Sequence, residues 1–167
     1  VTVRQSDEEM ANRINEYLKS KNSPLANEDL GKDFVEAGKK YGNHPYFLVA
    51  IIGAENSFGK NMADKYNLGS YLLTDSACAK KCPNIGFKSF REGIFGISQT
   101  LSNDMLGEGT RICDFSRGGW KVCPDSPNKA KNQYYASSLE NWHTNTTKFF
   151  GELLGKELQG IESIKLN

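Results

Sequence analysis

At 167 residues the chain is long enough for one domain with a proper core and too short for two comfortable ones. Its formal net charge is +1 with acidic and basic residues interspersed, which excludes the electrostatic footprint of a nucleic-acid or anionic-membrane binder. The longest apolar run, Phe47 to Ala54, falls far short of the ~20 residues a membrane span needs. No charged-then-apolar leader opens the chain, so the expectation is either a cytosolic protein or one whose leader has been removed.

In chain order, Ser6 with Glu9 three residues on forms a capping box, and Met10, Ile14, Tyr17 and Leu18 follow at helical spacing, predicting a first helix that ends before Asn22. Ser23 and Pro24 break it. Leu30, Phe34 and Ala37 mark a second helix that stops at Tyr41 and Gly42. Asn43 and Pro45 start a third, read as one buried helix running to an exit at Gly59, with proline in the first turn where its missing donor is harmless. From Lys60 to Gly86 the periodicity vanishes, predicting an irregular lobe with a short hairpin. Ser89 and Glu92 form a second capping box ahead of a stripe of Phe90, Ile94, Ile97, Leu101 and Met105. Residues 107 to 132, rich in Gly, Pro, Ser and charge, read as a stapled surface loop. Ser137 and Glu140 give a third capping box, and Leu139, Trp142, Phe149, Phe150, Leu153 and Leu154 line a final helix that closes the core. The Asn145, Thr146, Thr147 triplet matches a glycosylation acceptor, a motif common by chance, and falls inside that helix.

Cys78, Cys82, Cys113 and Cys123 form two locally spaced pairs in loop-like sequence, each able to close a small ring in an oxidising compartment. Their spacings fit no common zinc pattern, and the two histidines lie elsewhere. Disulfides are therefore expected and no metal or cofactor is, although four cysteines leave three possible pairings.

Glu55 stands out because it lies in a run of apolar residues. On a helical period Leu48, Ile51, Ile52, Glu55 and Phe58 share one stripe, so the acid is expected to point toward the core. Desolvation and the nearby helix C-terminus would both push its pKa upward, the state a glycosidase acid needs to protonate a leaving oxygen. The competing explanation is a structural carboxylate neutralised by Lys60 or Arg91. Glu92 has a complete capping explanation and is not nominated. Trp120 and the tyrosines offer flat faces for sugar rings.

Four segments in order resemble the bacterial glucosaminidase branch of the lysozyme-like superfamily, which cuts the glycan strands of peptidoglycan. They are Ser23 to Ala26 with Phe34 to Gly42; Ala54 to Lys60; Phe87 to Ile94; and Tyr135, Ala136, Ser137 with Asn141, Trp142 and Phe149. Together they cover most of residues 20 to 155. The resemblance implies a single mainly α domain over 1–167 (α+β, lysozyme-like), a helical bundle around a buried catalytic helix with a small irregular or β-hairpin lobe. It implies that Glu55 is the catalytic acid and that Tyr135 faces it across the cleft, with Tyr134 as the fallback in a shifted register. Tyr66, Asn67, Leu68 and Gly69 match the segment lining the sugar site, and Ser57 and Trp120 complete the candidate substrate-binding set. Asn56 stands where the family usually has Ser.

Asp75 is the preferred second carboxylate, because the irregular lobe could bring it over the cleft; Asp64 is the alternative, and substrate-assisted catalysis by the acetamido oxygen needs neither. The expected protein is a secreted or cell-envelope monomer acting on peptidoglycan glycan strands. A lytic transglycosylase and a non-catalytic wall-binding module of the same fold are the competing expectations, and Gly96, Ile97, Ser98 and Gln99 could be aligned with a transglycosylase element.

Overall fold

The computed structural model describes residues 4–62, 64–69, 86–115, 123, 138–156 and 160–167. The described chain is mainly helical. Its five α-helices are α1 (Asp7–Ser20), α2 (Gly31–Tyr41), α3 (Pro45–Asn56), α4 (Phe90–Thr100) and α5 (Leu139–Leu154). Short 3-10 turns at Pro24–Asn27, Ile112–Phe115 and Ile161–Ser163 and a π-turn at Leu101–Met105 accompany them. Of the irregular lobe expected over Lys60 to Gly86, residues 63 and 70–85, with Cys78, Cys82 and Asp75, lie outside the described residues, as do Trp120, Tyr134, Tyr135 and Ser137.

The helix starts follow local chemistry. Ser6 and Glu9 form the reciprocal capping box at α1, with Ser6 N–H donating to Glu9 Oε2 at 2.6 Å and Glu9 N–H to Ser6 Oγ at 3.1 Å. At α4 the Ser89 hydroxyl caps Glu92 N–H, while the Glu92 carboxylate accepts from Lys88 N–H at 2.7 Å, so Glu92 does serve the helix start. The start of α5 departs from expectation: its N-cap is Ser138, with no side-chain cap bond. Its far end is held by Arg13, whose guanidinium donates to the Glu152 and Leu153 carbonyls, placing a cation where the helix dipole is negative.

Helix α3 is the hub. Every residue from Pro45 to Gly53 is buried, because α1, α2, α4 and α5 all pack on it, most extensively α5. A helix apolar on all sides has no single core-facing stripe. The expected stripe through Glu55 and Phe58 therefore does not exist, and the helix ends at Asn56, three residues short of Gly59. Around it Phe47 stacks with Phe115 and meets Phe150 edge-on, and Phe115 meets Trp142 edge-on. A buried polar network ties α3's entrance to α4: Asn43 Nδ2 donates to the Ser98 carbonyl at 3.0 Å, and Ser98 Oγ lies 2.7 Å from Asn43 Oδ1 and 3.0 Å from the Ala37 carbonyl. Within the Gly96 to Gln99 element, Ile97 and Ser98 are thus core residues of α4.

Residues 110–115 correct the surface-loop reading. Thr110 through Phe115 are all buried, since Phe115 fills the space between Phe47 and Trp142 and the Arg111 guanidinium pairs with the fully buried Asp114 carboxylate at 3.1 Å. A disulfide joins Cys113 to Cys123, one of the two local pairings. The last residues dock on this segment: Leu166 N–H donates to the Thr110 carbonyl at 2.8 Å, Asn167 brackets Gly107 and Gly109, and an antiparallel bridge pairs Arg111 with Lys165. The glycosylation triplet lies in α5 with Asn145 exposed and Thr147 buried. No helix among the described residues is long and apolar enough to cross a membrane.

Candidate functional site

The last turn of α3 carries Glu55 and Asn56. Glu55 is half-buried, less enclosed than an acid on an inward stripe would be. Arg91 does not neutralise it, because its guanidinium is engaged on the protein surface by Asp33 and Glu36 of α2.

Beyond Asn56 the backbone turns through three successive left-handed residues: Ser57 at φ 55°, Phe58 at φ 58° and Gly59 at φ 86°. Only the last is free of the Cβ penalty, which is about 1–2 kcal/mol per L-residue. The exit is held against that cost from several sides. Ser23 Oγ donates to the Phe58 carbonyl at 2.6 Å, and the Phe58 ring is clasped edge-on by Tyr17 and Phe149 at centroid distances of 5.6 and 4.8 Å. It also tucks under Gly53, where a Cβ would collide with it. Strained backbone over-determined in this way gathers at functional sites.

Asn56 is 2% exposed and uses both ends of its amide. Its Nδ2 donates to the Leu68 carbonyl at 2.6 Å, and its Oδ1 accepts the Gly59 N–H at 2.7 Å. One side chain therefore joins the helix exit to the segment that follows. That segment, residues 64–69, is pressed onto α4: a Cβ at Gly93 would strike the Tyr66 carbonyl oxygen, and one at Gly69 would overlap Ile97. The Tyr66 ring meets Phe90 edge-on at 5.0 Å, and the Lys65 ammonium lies over the Tyr66 ring at 5.1 Å from its centre.

Of the candidates from sequence, the structure therefore brings Glu55, Ser57, Tyr66, Asn67 and Gly69 to one end of α3. Ser57 is exposed and Tyr66 half-buried, as groups open to a ligand should be. Asn67 is not such a group: at 2% exposure its side chain is enclosed, and its N–H is used by the Asp64 carbonyl. Asp64 is half-buried in the turn after the exit. Asp75, Trp120, Tyr134 and Tyr135 lie outside the described residues. Sequence reasoning marked Asn56 only as a departure from the family's Ser, without its partners, and missed Gly93, whose signal was a glycine inside a helix.

A second cluster flanks the exit. Tyr17 donates its hydroxyl to Glu152 at 2.6 Å, and Lys21 pairs with the same carboxylate at 2.7 Å while lying over the Tyr17 and Phe149 rings. Burial first, then the bond to Glu152, raises the Tyr17 hydroxyl well above the ordinary phenol range. For Glu152 partial burial pulls upward, but the Lys21 and Tyr17 bonds together hold it below the usual carboxylate range. These charges are mutually satisfied, so the cluster reads as framework for the exit.

A cavity of about 670 Å³ lies at the other end of α3, lined by Arg4, Met10, Lys39, His44 and Leu166 among others. A second, of about 560 Å³, runs between α1 and α2. Glu55 lines neither.

No family model, no curated protein and no solved structure matches the chain.

Proposed function

We propose that the chain is a glycoside hydrolase acting on peptidoglycan glycan strands, an N-acetylglucosaminidase or muramidase of lysozyme-like fold, with Glu55 as general acid. The observation that carries this reading is the half-buried Glu55 carboxylate at the end of a helix whose residues 45–53 are all buried, beside a strained backbone exit. The four segments resembling the glucosaminidase branch support it, and the Cys113–Cys123 disulfide suits a secreted or cell-envelope protein.

In this scheme the Glu55 carboxyl gives its proton to the glycosidic oxygen as the bond from that oxygen to C1 breaks, and the leaving sugar departs as an alcohol. The acetamido oxygen of the retained sugar bonds to C1 and carries the positive charge as an oxazolinium. Water then adds to C1, the acetamide is restored, and the released proton returns to the Glu55 carboxylate. A base at Asp64 or Asp75 would instead activate the water directly.

The test is to incubate the protein and a Glu55→Gln variant with purified peptidoglycan, following clearing and binding separately. Clearing by the wild type and binding alone by the variant is the expected result. Binding by both with clearing by neither would replace the enzyme with a wall-binding module. Product masses separate hydrolysis from transglycosylation, whose anhydro product is one water lighter.

A further inference from the structure

We infer that Asn56 is the positioning residue of this site: its amide clamps the last turn of α3, and with it Glu55, to the 64–69 segment. The inference rests on the glycosidase reading only for its catalytic consequence; the clamp itself is geometry.

Asn56 is consecutive with Glu55 in the final helical turn, so whatever holds its side chain holds the rotation of that turn. Its two bonds run to different pieces of chain, the Gly59 N–H of the exit and the Leu68 carbonyl of the segment carrying Tyr66 and Gly69. Both bonds are buried, where an unmade partner costs about 1–3 kcal/mol. The opposite side of the segment is fixed independently by its close approach to Gly93 and Ile97 on α4. The amide thus stands between a fixed wall and the acid, bonded on one side to the helix exit and on the other to the segment. A serine hydroxyl can also donate and accept, but it is one atom on a shorter side chain, so a single oxygen would have to reach both the Gly59 N–H and the Leu68 carbonyl. With one amide atom for each partner, asparagine fixes the register of acid and segment more rigidly than serine would. Asn56 is enclosed and touches no substrate; it acts through Glu55 and the segment.

Asn56→Asp tests this, because a protonated carboxyl mimics the amide. Its O–H can donate to the Leu68 carbonyl and its other oxygen can accept from Gly59. Once ionised, it keeps the Gly59 bond and opposes the Leu68 oxygen with a charge. Burial favours the protonated form at acid pH. Activity per folded molecule on peptidoglycan, expressed as the variant-to-wild-type ratio and measured where circular dichroism shows both fully folded, is expected to stay within about threefold at pH 5 and to fall a further ~10-fold by pH 8, the size of one lost bond. Because the acid itself is displaced, the fall should appear in kcat more than in KM. In parallel, hydrogen exchange of residues 64–69 in the variant should lose protection over the same pH range.

A pH-independent activity ratio, or one that follows only the folded fraction, would overturn the positioning role and reduce Asn56 to packing. Unchanged exchange at 64–69 would overturn the clamp. Where the Asp variant does not fold, Asn56→Ser supplies the same readings, with loss expected at every pH. A wild type inert on peptidoglycan, with the exchange result as expected, would remove the glycosidase reading and the catalytic consequence while leaving the clamp in place.

Discussion

The two ends of α3 are built in opposite ways. At the entrance the capping groups are paired in ordinary geometry: His44 Nδ1 accepts the Tyr46 N–H at 3.1 Å, the His44 backbone N–H donates to the Leu166 carbonyl at 2.6 Å, and Pro45 occupies the first turn where no donor is needed. The imidazole is packed by Tyr46 and Phe150, and burial holds its pKa down to about 4. At the exit the helix keeps a half-buried carboxylate and leaves through two left-handed residues that are not glycine. A fold minimising its own free energy would finish both ends like the first. The difference locates where stability has been given up, and so where function is to be sought.

The largest expected effect is at the exit. Glu55→Gln should lower cleavage of glycan strands by about 10²–10⁴-fold while leaving the melting temperature nearly unchanged, since removing a general acid costs that much. Retained cleavage would erase the functional contrast between the two ends. At the entrance side the buried Arg111–Asp114 pair supports the tail that reaches His44. Asp114→Ala strands the guanidinium and should cost about 3–5 kcal/mol in chemical denaturation.

His44 offers a pH test with a definite sign. The folded group has a pKa of about 4 against an ordinary 6.5, so the folded state binds fewer protons between those values. Its contribution is complete above pH 6.5, falls as the pH drops through the window and is lost below about 4, a change of about 3 kcal/mol at most. Melting curves across that range should show the loss in the wild type and a smaller loss in His44→Asn, which keeps a capping side chain. Equal slopes would mean that the imidazole is not the group responsible.

Smaller effects sharpen the exit. Gly93→Ala should destabilise by about 1–3 kcal/mol, because its methyl meets the Tyr66 carbonyl. Ser57→Gly should be the mildest change, a gain of about 0.5–1 kcal/mol from relief at positive φ. A higher melting temperature accompanied by weaker activity would tie the strain to catalysis; a gain in both would show that the strain is incidental.

Much of the framework was legible because its signals are local. Ser6 with Glu9, Gly42 after Tyr41 and Ser89 before Phe90 mark helix ends with side chains only a few residues away, and each lies where expected. What escaped depends on distant partners. Gly59 is the natural left-handed residue of the exit, yet the turn begins two positions earlier because Ser23, Tyr17 and Phe149 hold Phe58 there. Residues 110–115 carry loop-like composition but are buried by Phe47, Trp142 and the tail. Arg91 was a reasonable partner for Glu55 until the packing of α2 beside α4 offered it Asp33 and Glu36. For the site itself, an acid in an apolar run was visible, whereas the role of Asn56 required knowing that Leu68 returns to it.

The bond from His44 to Leu166 also sets an order of events during synthesis. The most water-averse of the described helices cannot acquire its entrance contact until the ribosome has delivered Leu166, more than a hundred residues later. Until then the nascent chain must shelter that helix by provisional packing, a period in which greasy surface invites self-association. Slowing translation ahead of Ile161 should therefore raise aggregation of the newborn protein without altering the equilibrium stability of the finished one.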